Sequence, residues 1–167
     1  MAVMPDRRAT LTLPTDEQIL ITREFDAPRH LVYRALTEPA LVERWWHAKR
    51  GRVTVAEIDL RIGGAWRYVM VADNGMEVGF HGTYREIVPD ERIVTTEVYE
   101  GLPDGVSEDD AATVNTASLA GDDERTTFTL LIQATSKLSR DAIIDSGMEL
   151  GLQDALDLLE ETADSLG

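Results

Sequence analysis

Residues Gln18 to Phe25 alternate, placing Ile19, Ile21 and Phe25 on one side and Leu20, Thr22 and Glu24 on the other. A period of two predicts a strand with one buried face. Asp26-Ala-Pro28 interrupts the pattern. Aspartate can cap the free amides of a helix, and proline is tolerated in a first turn, so a short helix carrying Val32, Ala35 and Leu36 is expected. Thr37-Glu-Pro39 repeats the signal and opens a second short helix with Leu41, Val42, Trp45 and Trp46. Adjacent helical residues point about 100° apart, so one tryptophan is expected to anchor the helix while the other faces elsewhere.

From Arg52 to Ala134 the chain reads as strands separated by the turn clusters Gly63-Gly64, Asp73-Asn74-Gly75, Val88-Pro89-Asp90 and Gly121-Asp122-Asp123. This predicts an antiparallel meander. One residue of slip would send every side chain to the wrong face, so the aromatic residues select the register. A three-residue loop at Asp73 to Gly75, with Gly75 left-handed, pairs Met70 with Val78, Tyr68 with Phe80 and Trp66 with Gly82. A matching three-residue loop at Ile62-Gly63-Gly64 pairs Leu60 with Trp66, Ile58 with Tyr68 and Ala56 with Met70. The predicted inner face is Ala56, Ile58, Leu60, Trp66, Tyr68, Met70, Val78, Phe80, Gly82 and Tyr84. Glu57, Asp59, Arg67, Glu77, His81, Thr83 and Arg85 fall on the outer face. The facing of Glu97 and Tyr99 is left open by the pattern.

Ser139 to Ser165 contains no proline, and Ile144, Met148, Leu152, Ala155, Leu159 and Ala163 follow helical spacing. One amphipathic helix of roughly 40 Å is expected. Its apolar stripe needs a broad partner, and the aromatic sheet face is the available one. Gly101 to Asp110 is polar and turn-rich, and reads as an exposed loop.

Composition narrows the chemistry. The 167 residues contain no cysteine, so a disulfide framework, thiolate metal ligands and a cysteine nucleophile are excluded. The length suits one core, with residues 1–17 as an N-terminal extension and 18–167 as a single domain. The apolar runs are shorter than the roughly 20 residues needed to cross a bilayer. The first residues lack the apolar core of a signal peptide, so a cytoplasmic protein without membrane insertion is expected. The 31 acidic against 16 basic residues give a net charge of −15. Such a field repels phosphate backbones, so no nucleic-acid partner is expected. A homodimer is a general expectation for a small protein of this kind.

His30, His47 and His81 are the only histidines, and no pair stands at ligand spacing, so neither a metal nor another cofactor is expected. No serine lies in a glycine-framed elbow, and Gly63-Gly64 lacks the lysine of a phosphate loop. The acidic runs Ser107 to Asp110 and Gly121 to Glu124 lack the spaced ligands of a calcium loop. No catalytic residues are assigned.

Particular words tighten the reading. These are Ile21-Thr-Arg-Glu-Phe-Asp-Ala-Pro-Arg-His-Leu-Val-Tyr-Arg-Ala-Leu-Thr-Glu-Pro39, Leu41-Val-Glu-Arg-Trp-Trp46, Gly63-Gly-Ala-Trp66 and Phe80-His-Gly-Thr-Tyr84. Glu86-Ile-Val-Pro89, Arg92-Ile-Val94 and Gly147-Met-Glu-Leu-Gly151, leading into Leu156-Asp-Leu-Leu-Glu160, follow in order. Together they resemble the SRPBCC superfamily, and more narrowly the family similar to the C-terminal domain of the activator of heat-shock protein ATPase. The resemblance implies an α+β helix-grip fold: a strongly curved seven-stranded antiparallel sheet, two short helices after the first strand, and a long C-terminal helix over an apolar cavity. Superfamily members bind lipids, sterols or aromatic polyketides, and some are enzymes, so the fold leaves the function open.

A cavity of this kind would hold a small apolar or aromatic molecule. Its expected wall is Trp46, Ile58, Leu60, Trp66, Tyr68, Met70, Phe80, Tyr84, Phe128, Met148 and Leu152. Three functions stay open: a non-enzymatic carrier or sensor, an enzyme of polyketide-cyclase type, and a chaperone ATPase regulator. The enzyme reading requires a polar side chain of shifted pKa inside the cavity.

Overall fold

In the computed structural model, which describes residues 8–167, the alternating segment forms a strand with its apolar side buried. It is β2 (Gln18–Phe25), preceded by β1 (Thr10–Thr12). Two short helices follow, α1 (Arg29–Thr37) and α2 (Pro39–Trp45). The meander comprises β3 (Gly51–Ile58), β4 (Ala65–Ala72), β5 (Glu77–Val88), β6 (Arg92–Tyr99), β7 (Thr113–Gly121) and β8 (Thr126–Gln133). One turn of helix, α3 (Glu108–Ala111), interrupts the loop before β7, with Ser107 accepting the Asp110 amide at its start. Two helices close the chain, α4 (Lys137–Asp145) and α5 (Met148–Asp164).

The strands form one antiparallel sheet ordered β1-β2-β8-β7-β6-β5-β4-β3. It has eight strands, not seven. The extra strand, β1, lies in the segment expected to be an extension and pairs Leu11 with Ile21. Its neighbour β2 has backbone groups free on that side, and three more residues satisfy some of them.

The β4–β5 hairpin has the predicted register, with Trp66 opposite Gly82, Tyr68 opposite Phe80 and Met70 opposite Val78. Gly75 is left-handed at φ 87°, and its N–H donates to the Ala72 carbonyl at 2.8 Å. The β3–β4 hairpin keeps the predicted faces but shifts in pairing. Ile58 opposes Trp66 and Ala56 opposes Tyr68, so the connection is longer than three residues. Asp59 N–H donates to the Ala65 carbonyl at 2.9 Å, and Gly63 N–H donates to the Tyr84 carbonyl at 2.7 Å. The loop is therefore tied to a different strand, an interaction that local turn chemistry does not encode. Leu60 leaves the inner face for this loop and is 40% exposed.

The expected single C-terminal helix is broken. Gly147 has φ 82°, a conformation that ends a helix, and it separates α4 from α5. The 17 residues of α5 span about 25 Å instead of 40. Neither early cap takes the expected form. Pro28 stands at the N-cap of α1, and the Thr37 hydroxyl donates back to the Tyr33 carbonyl at 2.8 Å instead of capping α2.

The interior divides into two apolar clusters. The larger joins Ile19, Ile21, Phe25, Phe128 and Ile132 of the sheet to Leu31, Val32, Leu156 and Leu159 of α1 and α5. The smaller joins Val42 of α2 to Trp66, Tyr68, Tyr84 and Ile93. Burial of this apolar surface is the main stabilising term. A buried ion pair fixes α5 to the sheet: Arg23 Nη1 donates to Asp157 at 2.6 Å and Nη2 to Glu160 at 3.2 Å. Glu160 also accepts the Asp26 amide at 2.7 Å. It thereby holds the turn into α1.

Candidate functional site

The inner face is largely apolar, with a polar patch on its middle strands. Ile93 is buried in the smaller cluster, so the alternation of β6 carries Thr95, Glu97 and Tyr99 to the same face. Register then aligns Glu97 with Thr113 and Thr95 with Asn115 of β7. Thr113 Oγ1 donates to Asn115 Oδ1 at 2.9 Å, and Asn115 Nδ2 donates to Glu97 Oε2 at 2.6 Å. Thr113, Asn115 and Glu97 thus form a polar patch on β6 and β7, while farther along the same strands Ile93 of the smaller cluster stands opposite Ala117 of the larger.

Around one side of this patch stands an aromatic wall. Trp46 lies 5.6 Å from Tyr68 and 5.9 Å from Phe80 between ring centres, both edge to face. Phe80 lies 5.1 Å from Tyr99, and Trp66 lies 4.8 Å from Tyr68. Such pairs add about 1 kcal/mol each to their apolar burial. The two neighbouring tryptophans divide as expected. Trp45 anchors α2 by donating its indole N–H to the Ala35 carbonyl at 2.8 Å, while Trp46 joins the wall.

The β5–β6 ladder opens beside this wall, with no pairing between His81–Val98 and Tyr84–Thr95. Side chains satisfy the opened backbone. The Trp66 indole N–H donates to the Thr96 carbonyl at 3.1 Å, and Thr96 Oγ1 accepts the Thr83 amide at 2.9 Å. Gly82 is required here, because a Cβ would stand 1.8 Å from the Thr96 carbonyl oxygen.

Burial governs the titration of the interior groups. It pushes the Tyr68 hydroxyl well above its usual range and the Tyr84 hydroxyl to about 12. The two hydroxyls also interact with each other. Burial raises the Glu97 carboxyl, and the Asn115 amide only partly offsets it. Glu97 is enclosed by the fold yet keeps some accessible surface. Phe80, Trp46 and Ile58 are likewise only partly buried.

Of the sequence-predicted wall, Trp46, Ile58, Trp66, Tyr68, Phe80 and Tyr84 come together around the smaller cluster. Met70 is buried on the same face, farther along β4. Phe128 belongs to the other cluster, stacked on Phe25 at 5.7 Å, and Met148 and Leu152 of α5 also pack there. Asn115 and Thr113 are not singled out by the sequence; Glu97 is, along with Tyr68, Tyr84 and Tyr99, as a candidate polar group, but the pattern leaves its facing open. The signal was the period of two running back from Glu97 to Ile93, which becomes decisive once Ile93 is known to be buried.

The opposite face carries a shallow depression of about 420 Å³, lined by Glu57, Arg67, His81, Thr83, Thr96 and Val98. There Glu100 accepts from Arg67 at 2.9 Å through both oxygens and lies 2.9 Å from His81 Nδ1. The Arg67 guanidinium, helped by His81, holds the Glu100 carboxyl down at about 2.

An antiparallel sheet with two short helices after its first long strand and a terminal helix packed on its inner face defines an α+β fold of the helix-grip kind. Residues 26–164 match the family described as activator of Hsp90 ATPase homolog 1-like protein, and the chain belongs to that family, one of the SRPBCC type. Solved structures share the fold. A protein from Rhodobacter sphaeroides superposes with a TM-score of 0.83 at 23% identity, covering 95% of this chain and 99% of its own. One from Nitrosomonas europaea gives 0.79 at 23% identity, covering 92% and 97%. One from Chromobacterium violaceum gives 0.71 at 28% identity, covering 86% and 95%. No curated protein matches the chain. Among the described residues no helix is long and apolar enough to cross a membrane.

Proposed function

We propose that the protein binds a small hydrophobic or aromatic molecule between the sheet and α5, as a carrier or sensor. The observation that carries this reading is the state of Glu97 and its neighbours, which the fold encloses while leaving part of their surface accessible. Trp46, Ile58, Trp66, Tyr68, Phe80 and Tyr84 support it, since together they offer the mostly apolar lining with few polar groups that small-molecule sites use. Native mass spectrometry of the purified protein, with a thermal-shift screen of apolar compounds, tests it. Bound mass or stabilisation by a hydrophobic compound is expected. An interior that carries no guest and gains no stability from any of them would sink the idea.

A second reading, an enzyme of polyketide-cyclase type, is favoured by one observation: an interior carboxyl with a raised pKa near the Tyr68 hydroxyl. A carboxyl titrating closer to neutrality is suited to moving a proton on a bound substrate. Turnover of an aromatic polyketide-like substrate that vanishes in Glu97→Gln would support this reading; tight binding of that substrate without turnover would count against it.

A further inference from the structure

We infer that Glu97 is the polar anchor of the binding site, and that the guest is an apolar or aromatic molecule carrying one hydrogen-bond-donating group, a hydroxyl or an amine. This rests on the cavity reading above. Only one side of the carboxylate is used by the protein. Asn115 Nδ2 holds Oε2 at 2.6 Å, and Oε1 accepts no hydrogen bond from the described residues. Asn115 Oδ1 receives the Thr113 hydroxyl while its NH₂ end faces Glu97, and the carboxylate serves as acceptor.

Among the described residues no cation relieves the group. Arg23, the inner-face arginine of β2, is committed to Asp157 and Glu160 on α5. The groups facing Glu97 are Asn115, Thr113 and the Tyr68 hydroxyl, all neutral. Glu97 Oε1 is not among the buried side-chain atoms left without a partner, so it is open to a donor from outside the protein. A donor brought by a guest supplies the missing bond, and the aromatic wall of Trp46, Phe80 and Tyr99 would take its apolar body. Affinity would come from apolar burial and selectivity from Glu97, because a site built to pair a polar group rejects the analogue that lacks it.

The test uses the full chain and matched probes: phenol with anisole, 2-naphthol with 2-methoxynaphthalene, and estradiol with its methyl ether, plus 2-naphthylmethylamine. Affinities are read by fluorescence or calorimetric titration. In each pair that binds, the donor-bearing probe is expected to bind about tenfold more tightly than its ether, as one hydrogen bond to a carboxylate would give. Comparing the naphthol with the amine tells whether a neutral or a cationic donor is preferred. In Glu97→Met, checked for native circular dichroism, the preference should fall to about onefold while the ethers bind as before. Equal affinities within every pair in the unaltered protein would overturn the anchor and leave the cavity reading standing. Failure of all probes to bind would overturn both.

Discussion

Glu97 and Glu100 stand three residues apart on the same stretch of chain and titrate in opposite directions. Glu97 points to the inner face, where burial raises its carboxyl and only a neutral amide offers relief. Glu100 lies on the outer face over Gly79, which has no Cβ to displace it, between Arg67 and His81. There its carboxyl falls to about 2. Three residues in a strand reverse the facing, and the facing decides whether desolvation or ion pairing dominates. The inner face keeps its acid against a neutral amide, whereas the outer face pairs its acid with cations as a solvated surface does.

The largest break of this contrast comes from the side chains around the two carboxylates. Trp66 and Arg67 are adjacent on β4 and point to opposite faces. Trp66→Ala should cost about 4 kcal/mol in urea unfolding, through lost apolar burial and the freed Thr96 carbonyl. Arg67→Ala should change the midpoint little. Next comes the clamp on α5. Glu160→Ala leaves Arg23 buried with one carboxylate partner fewer, and should cost about 3 kcal/mol by the same measurement. An unfolding midpoint unchanged by this substitution would show that the pair does not hold the helix.

The remaining predictions concern pH. Glu97 keeps its proton in the folded state to higher pH than in the unfolded chain. Between those two pKa values the folded state binds the extra proton, so the contribution of Glu97 to stability falls as pH rises through that window. Glu97→Gln should flatten the fall, and chemical denaturation at a series of pH values checks it. Glu100 has the opposite sign. Its stabilising contribution is present above the ordinary carboxyl value of 4.5 and is lost as pH drops toward about 2. Glu100→Gln should remove that acid-side loss. The cost near neutrality should be below about 1 kcal/mol, because solvent screens the pair.

These faces were partly legible before the fold was known. The β4–β5 register could be read because Trp66, Tyr68 and Met70 share a parity with Val78 and Phe80, and Gly75 permits only certain loops. The β3–β4 pairing could not, since a shift by two preserves every face and the deciding bond, Gly63 to Tyr84, comes from β5. The break at Gly147 was visible as a glycine at a helix end, but the apolar spacing on both sides of it stays in phase with one continuous helix. Glu97 escaped because alternation relates residues to one another, not to the core.

The sequence by itself determined the succession of strand, two short helices, meander and helical terminus, and the aromatic inner face. Those properties follow from local periodicity and turn chemistry, which act over a few residues, while the acidity follows from composition and the family from resemblance. Tertiary structure alone decided that Thr113, Asn115 and Glu97 form one polar patch, that Phe128 and Met148 serve the other cluster, and that Arg23 is spent on α5. Each depends on residues far apart in the chain meeting across strand register or helix packing. Their energies arise only when the sheet curves and the helix closes over it.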